Sequence, residues 1–259
     1  SRDAVGSNMR RMIDFYNSQV GQETLDMDPT KIAWGGGLQD HHRRNSHIEF
    51  SESAMVTSMY RPFTRQVVYF DSKLNERQYQ LPKLFPTEAH QNLVILVNAD
   101  KRRASDVLLT DHLPDLHAIG DTQCFSLYTY EAAPEGELAL ELGTNVALDG
   151  YVRRDNITDA TLSAYRRFYE DPGIGKEDIF YCVYGLLHSP AYKEQYKADL
   201  MKMLPRIPKV KDFRGFSKAG HELADLHLNY ETVQPYALEE IVLGDVISTD
   251  SITDEAYDF

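Results

Sequence analysis

The pattern of apolar residues changes period partway along the chain, and this constrains the fold more than any other feature. Asn92–Asn98 (NLVILVN) is an almost unbroken apolar run of strand length, which predicts a strand buried on both faces. Arg65–Phe70 (RQVVYF) is a second β-branched and aromatic run. In Gln123–Tyr130, Cys124, Ser126, Tyr128 and Tyr130 alternate against Phe125, Leu127 and Thr129, the spacing of a strand. After Asp155 the period becomes helical. Thr158 or Asp159 can cap a helix running to about Tyr169, and Lys176–His188 repeats Ile179, Phe180, Val183, Tyr184 and Leu187 at helical spacing. Ser189-Pro190 stops that helix and opens another, Ala191–Leu204; a further one covers roughly Phe213–Leu228. The expected class is α+β, a mixed strand-rich N-terminal half followed by a helical C-terminal half.

Before the first strand, Asn8–Val20 places Met9, Met12, Ile13, Tyr16 and Val20 on one side of a helix that Gly21 ends. Gly35–Gly37, beside the single tryptophan Trp34, suits a tight turn or a close backbone approach. Glu131–Tyr151 has no clear period and reads as a surface connection. The expected division is a helical segment over residues 1–21, a strand-rich part over 22–155, a helical part over 156–230 and an acidic tail over 231–259.

Charge is uneven along the 259 residues. The net charge is −13, of which residues 1–130 contribute −2 and residues 131–259 contribute −11; Glu231 to Phe259 holds 8 acids and no Lys or Arg. A whole-surface attraction for nucleic acid is excluded, while local basic clusters in the first half are not. No apolar run approaches the roughly 20 residues of a membrane helix, so no membrane partner is expected. Cys124 and Cys182 sit in apolar settings without metal spacing, which predicts buried thiols in a reducing compartment.

Three constellations invite an enzymatic reading. Asp111-His112-Leu-Pro-Asp115-Leu-His117 contains good metal ligands and is the basis of a remote metal-dependent hydrolase reading, but Pro114 interrupts any helix that would align them. Neither Gly35–Gly37 nor Asp171–Lys176 has the form of a phosphate loop, and there is no Gly-x-Ser-x-Gly nucleophile. No catalytic and no metal residue is therefore assigned. What remains is basic and amide chemistry in the first half. Arg43, Arg44, Lys101, Arg102 and Arg103 are candidates for phosphate contact, and Asn45, Arg65, Gln66 and Arg77 for base edges, with Arg61 beside them. The competing reading pairs Arg61 and Arg65 with Asp71 or Glu76 across a turn and leaves Lys101–Arg103 a solvated loop.

The order of short segments carries a resemblance. Ser1–Ala4 with Asn8–Asn17, Tyr60–Asp71 with Leu74–Arg77, Thr110–His117, Gln123–Tyr128, Asn156–Asp159, Glu177–Tyr181, Tyr184–Pro190 and Pro205–Pro208 together resemble the C-terminal target recognition domain of Type ISP restriction-modification enzymes. The family's Arg-Asp-Ala motif continues with Trp-x-Tyr-Asn, where this chain has Val5–Asn8. The resemblance implies a non-enzymatic piece of a larger polypeptide that also carries a nuclease, a helicase-like motor and an N6-adenine methyltransferase. It further implies double-stranded DNA and that methyltransferase domain as partners, and a cytoplasmic setting. S-adenosylmethionine, ATP and Mg are expected to serve the parent enzyme, with no cofactor in this piece. The alternative is a docking module of the same enzyme that touches no base.

Overall fold

The computed structural model describes residues 1–100, 106–133 and 150–234. The expected α+β arrangement is observed, with three small sheets followed by a helical C-terminal part. Helix α1 (Arg2–Gln19) begins six residues earlier than the periodicity predicts, because Ser1 Oγ caps it at Ala4 N and Val5 extends the apolar stripe. It buries Ile13 and Tyr16 against Ile32, Ile48, Met55 and Tyr69. Gly35–Gly37 is not a free turn but the start of α2 (Gly36–Arg43). The segment after α2 is extended without joining a sheet; the Asn17 side chain serves as its ladder, donating to Ile48 O (2.8 Å) and accepting from Ile48 N (3.0 Å).

Strands β1 (Met55–Arg61) and β2 (Thr64–Tyr69) form an antiparallel hairpin, Met55 opposite Tyr69. The short helix α3 (Leu81–Leu84) leads to β3 (Val94–Asn98), β4 (Val107–Thr110), β5 (Leu113–Pro114) and β6 (Thr122–Ser126). β5 pairs in parallel with β1, while β3 is the centre of an antiparallel sheet ordered β4-β3-β6. Every residue of β3 is buried, as its apolar run predicts. The period of two explains why: Ile95 and Val97 face a cluster with Phe180, Tyr184 and Leu187, whereas Val94 and Leu96 face Met59, Leu84, Phe85 and Leu113. The strand expected over Gln123–Tyr130 breaks at Leu127. There the chain leaves β6 for β7 (Tyr128–Ala132), which pairs with β8 (Tyr151–Asp155). The buried Asn92 amide causes the break, accepting from Tyr128 N (3.1 Å) and donating to Tyr128 O (2.9 Å).

The helical part comprises α4 (Asp159–Tyr169), α5 (Lys176–His188), α6 (Pro190–Gln195), α7 (Lys197–Leu200) and α8 (Phe213–Leu228). Thr158, Ser189 and Asp212 cap α4, α6 and α8 through their side-chain oxygens. The helix expected over Ala191–Leu204 is interrupted at Tyr196 and ends at Leu200, because Tyr192 uses its hydroxyl to hold Arg206 O (2.8 Å) and folds the chain back. Helices α5 and α8 cross with their backbones in contact. A Cβ on Gly220 would stand 1.9 Å from Tyr181 O, so only glycine permits this approach. Among the described residues no helix is long and apolar enough to cross a membrane.

Candidate nucleic-acid interface

The candidate side chains fall into two groups. The first is assembled around α2 and the loop 71–80. Glu76 Oε1 accepts from Gly37 N (2.5 Å) at the start of α2, where the helix dipole favours a carboxylate. The fit is tight: a Cβ on Gly37 would lie 2.9 Å from that oxygen. Beyond the other end of α2, Lys73 Nζ donates to His47 O (2.9 Å). The loop is therefore tied to the start of α2 by Glu76 and to the segment after α2 by Lys73, while Arg43, Arg44 and Asn45 stand at the end of α2 and Arg77 on the loop. All four are exposed. Arg43 pairs with Asp40 within its own helix, whereas Arg44 and Arg77 meet no carboxylate among the described residues. Asn45 and Arg77 both lie in the left-handed region (φ +50° and +59°).

The second group sits on the hairpin. Arg61 lies over the Tyr60 ring (4.0 Å) and pairs with Asp115 (3.1 Å), not with the Asp71 or Glu76 that a turn would offer. Arg65 is enclosed, its side chain 27% exposed. Its Nη2 donates to Leu228 O (2.8 Å) at the C-terminus of α8, and its guanidinium lies 3.4 Å from Glu231, 3.8 Å from Asp111 and 5.2 Å from the centre of the Tyr230 ring. At the hairpin tip Phe63 (φ +55°) rests on His227 and Tyr230. Gln66, the next residue of β2, points to the opposite face and is exposed. The structure thus turns Arg65 and Gln66 to opposite faces of β2. Lys101, Arg102 and Arg103 lie outside the described residues.

The His-Asp segment is occupied by internal bonds. Asp111 Oδ1 accepts from His112 Nδ1, Asp115 Oδ1 accepts from His117 N (2.9 Å), and His117 Nδ1 donates to Gly120 O (3.2 Å). Burial alone would raise the Asp111 carboxyl; the bond from His112 and the charges of His112 and Arg65 outweigh it and hold the group below its ordinary value. Among the described residues no three His, Cys, Asp or Glu groups converge on a metal position. Both cysteines are free; burial pushes Cys182 up to about 12 and Cys124 up to about 11, so neither is a nucleophile at neutral pH.

Sequence reasoning offered Glu76 only as a partner for Arg61 or Arg65 and passed over the roles of Lys73 and Tyr79. The first two act through backbone groups about 26 to 39 residues away. The only mark of Tyr79 is an aromatic ring inside the polar run Asn75–Gln80.

The fold is shared with solved structures in complex with DNA or a DNA mimic. The chain aligns over 92% of its length with an ATP-dependent Type ISP restriction-modification enzyme, LlaBIII, bound to DNA (32% identity, TM-score 0.78). It aligns over 97% with the DrdV–DNA complex (31%, 0.76) and over 92% with a nuclease-deletion mutant of the Type ISP enzyme LlaGI in complex with a DNA substrate mimic (30%, 0.74). These alignments cover 15%, 24% and 21% of the respective partner chains. The family model of the Type ISP C-terminal specificity domain matches residues 1–257, and the chain belongs to that family. A search of curated proteins returned no match.

Proposed function

We propose that this chain is a DNA target recognition domain that positions a duplex and reads a sequence for the other parts of a restriction-modification enzyme. The observation that supports the reading is that Arg44 and Arg77 are exposed and meet no carboxylate among the described residues, on a helix end and a loop that Glu76 and Lys73 tie together. Arg43 and Arg44 take phosphates, and Asn45 and Arg77 reach base edges. Lys101, Arg102 and Arg103 add phosphate contacts. On the hairpin, exposed Gln66 is the base-edge candidate and Arg61 its neighbour, while Arg65 braces the hairpin on α8.

The larger polypeptide supplies the N6-adenine methyltransferase, motor and nuclease, which use S-adenosylmethionine, ATP and Mg in the cytoplasm; none of these is assigned to residues of this chain. A docking role accompanies the reading role. Met201, Met203 and Leu204 are exposed just past α7 and form an apolar edge suited to the methyltransferase part of the same polypeptide.

Duplex binding by the polypeptide that carries this domain tests the reading. Affinity should fall steeply between about 50 and 200 mM salt. Arg44→Ala should weaken all sequences alike and reduce the salt slope by about 1, and Arg77→Ala should relax preference at one base pair by about 1–3 kcal/mol. Binding indifferent to salt and to Arg44 would remove this surface from DNA.

A further inference from the structure

Of the exposed large apolar side chains on the described surface, Tyr79 is the barest, at 69%. Its backbone is left-handed (φ +50°), as is that of Arg77 two residues before it (φ +59°). For a bulky side chain this conformation is an outlier that the surroundings must enforce. They do so here from both sides. Asp71 Oδ1 accepts from Lys73 N (2.8 Å), Asn75 Oδ1 accepts from Asp71 N (2.7 Å), Glu76 holds Gly37 N, and Leu81 N donates to Gln78 O (3.1 Å). Yet the two side chains at the centre of this bracing, Arg77 and Tyr79, make no hydrogen bond, ion pair or ring contact with any described residue. The loop holds in place an aromatic ring and a cation that make no polar or ring contact with the described residues.

We infer that Tyr79 is a stacking residue, its ring laid on a base face at a locally unstacked step of the duplex while Arg77 anchors the same loop tip at the groove. The inference rests on the DNA-recognition reading above. A bare ring on a double helix finds its flat partner only in a base, and side chains inserted at a base step are held there by stacking together with a nearby cation. The left-handed backbone is then what projects the ring away from the domain instead of letting it fold back onto Leu74 or Leu81.

The test uses the polypeptide that carries this domain and a labelled duplex bearing the sequence it selects from a random pool. Tyr79→Ala and Tyr79→Gly should each weaken binding about ten-fold or more, and Tyr79→Phe, which keeps the ring, should stay within about two-fold of the parent. Tyr79→Gly should melt no lower than the parent, because glycine takes φ +50° freely. Unchanged affinity in Tyr79→Ala overturns the inference. So does a fall in Tyr79→Phe equal to that in Tyr79→Ala, which would place the effect in the hydroxyl, and so does a lower melting temperature in Tyr79→Gly, which would make the ring a structural prop. Arg44→Ala measured in parallel separates the two levels: if it weakens binding while the Tyr79 variants do not, stacking fails and DNA recognition stands, and if neither variant matters both fall.

Discussion

The α5–α8 pair and the α2 side of the molecule are held by different physics. Helix α5 buries Ile179, Phe180, Cys182, Tyr184, Leu186 and Leu187, and meets α8 backbone to backbone at Gly185 and Gly220. Its position follows from burial and close packing. Helix α2 buries a single residue, Leu38, and its partner loop is fastened by side chains that reach backbone groups, Glu76 at one end and Lys73 at the other. The first region resists change in shape and commits most of its side chains to packing. The second exposes Arg44 and Arg77 on a surface that Leu38, Leu74 and a few polar bonds secure. On the proposed reading, recognition is built where the packing is thin, because a side chain buried for stability is lost to a ligand.

Glycine substitutions probe this contrast most strongly. Gly220→Ala should cost about 3 kcal/mol or more, since its new methyl collides with the Tyr181 carbonyl; urea unfolding of the chain measures it. Gly36→Ala, with open space around its Cβ and an ordinary helical φ, should be neutral or stabilising by a few tenths of a kcal/mol. Equal shifts in the two variants would break the comparison. A middle-sized effect belongs to Arg65, which ties the hairpin to the helical region. Arg65→Ala should lower stability by about 1 kcal/mol, through loss of a charge-assisted bond at a helix C-terminus, and leave base preference unchanged. A changed base preference at unchanged stability would move Arg65 to the reading surface.

An effect of similar size is a pH dependence carried by the helical region. His188 packs on Tyr184 and His227, and its Nε2 is buried without a hydrogen-bond partner among the described residues. Burial first, then the charges of Lys193 and His227, push it down to about 4, and burial pushes His227 down as well. The unfolded chain, with an ordinary imidazole near 6.5, binds the proton that the folded chain refuses. Stability is therefore complete above pH 6.5 and declines as pH falls toward 4. Melting temperature should drop by about 2–4 °C between pH 7 and 5.5, on the order of 1 kcal/mol, and by less in His188→Phe. An equal drop in both would assign the dependence elsewhere.

What the sequence discloses follows the same divide. The limits of α4, α5 and α8 are legible because their causes are local: a Thr158, Asp178 or Asp212 side chain at the first turn and apolar residues at helical spacing. β3 is legible because both of its faces are apolar. The break at Leu127 is hidden because its cause, Asn92, stands 36 residues upstream of the Tyr128 it binds. The start of α2 at Gly36 is hidden because Glu76 lies 39 residues from Gly37, and the bracing role of Arg65 because Leu228 lies 163 residues away. The left-handed turn at Arg77 and Tyr79 carries neither glycine nor asparagine to announce it. The types of residue at the site could be named from the chain, and the family resemblance could be placed, but which of them share a surface is decided by polar bonds between distant segments.

One feature of the sheets bears on how such a domain can be altered. β7 and β8 pair to their ends, Ala132 opposite Tyr151, and Ala133 N donates to Gly150 O (2.7 Å). The chain on either side of residues 134–149 is thus already joined, so the ladder holds its register whatever length of polypeptide passes between these ends. Doubling such a connection adds only about 0.6 kcal/mol of closure entropy. The register of β7 and β8 is consequently set by their own pairing, and a change of length between Ala133 and Gly150 should leave Ala132 opposite Tyr151.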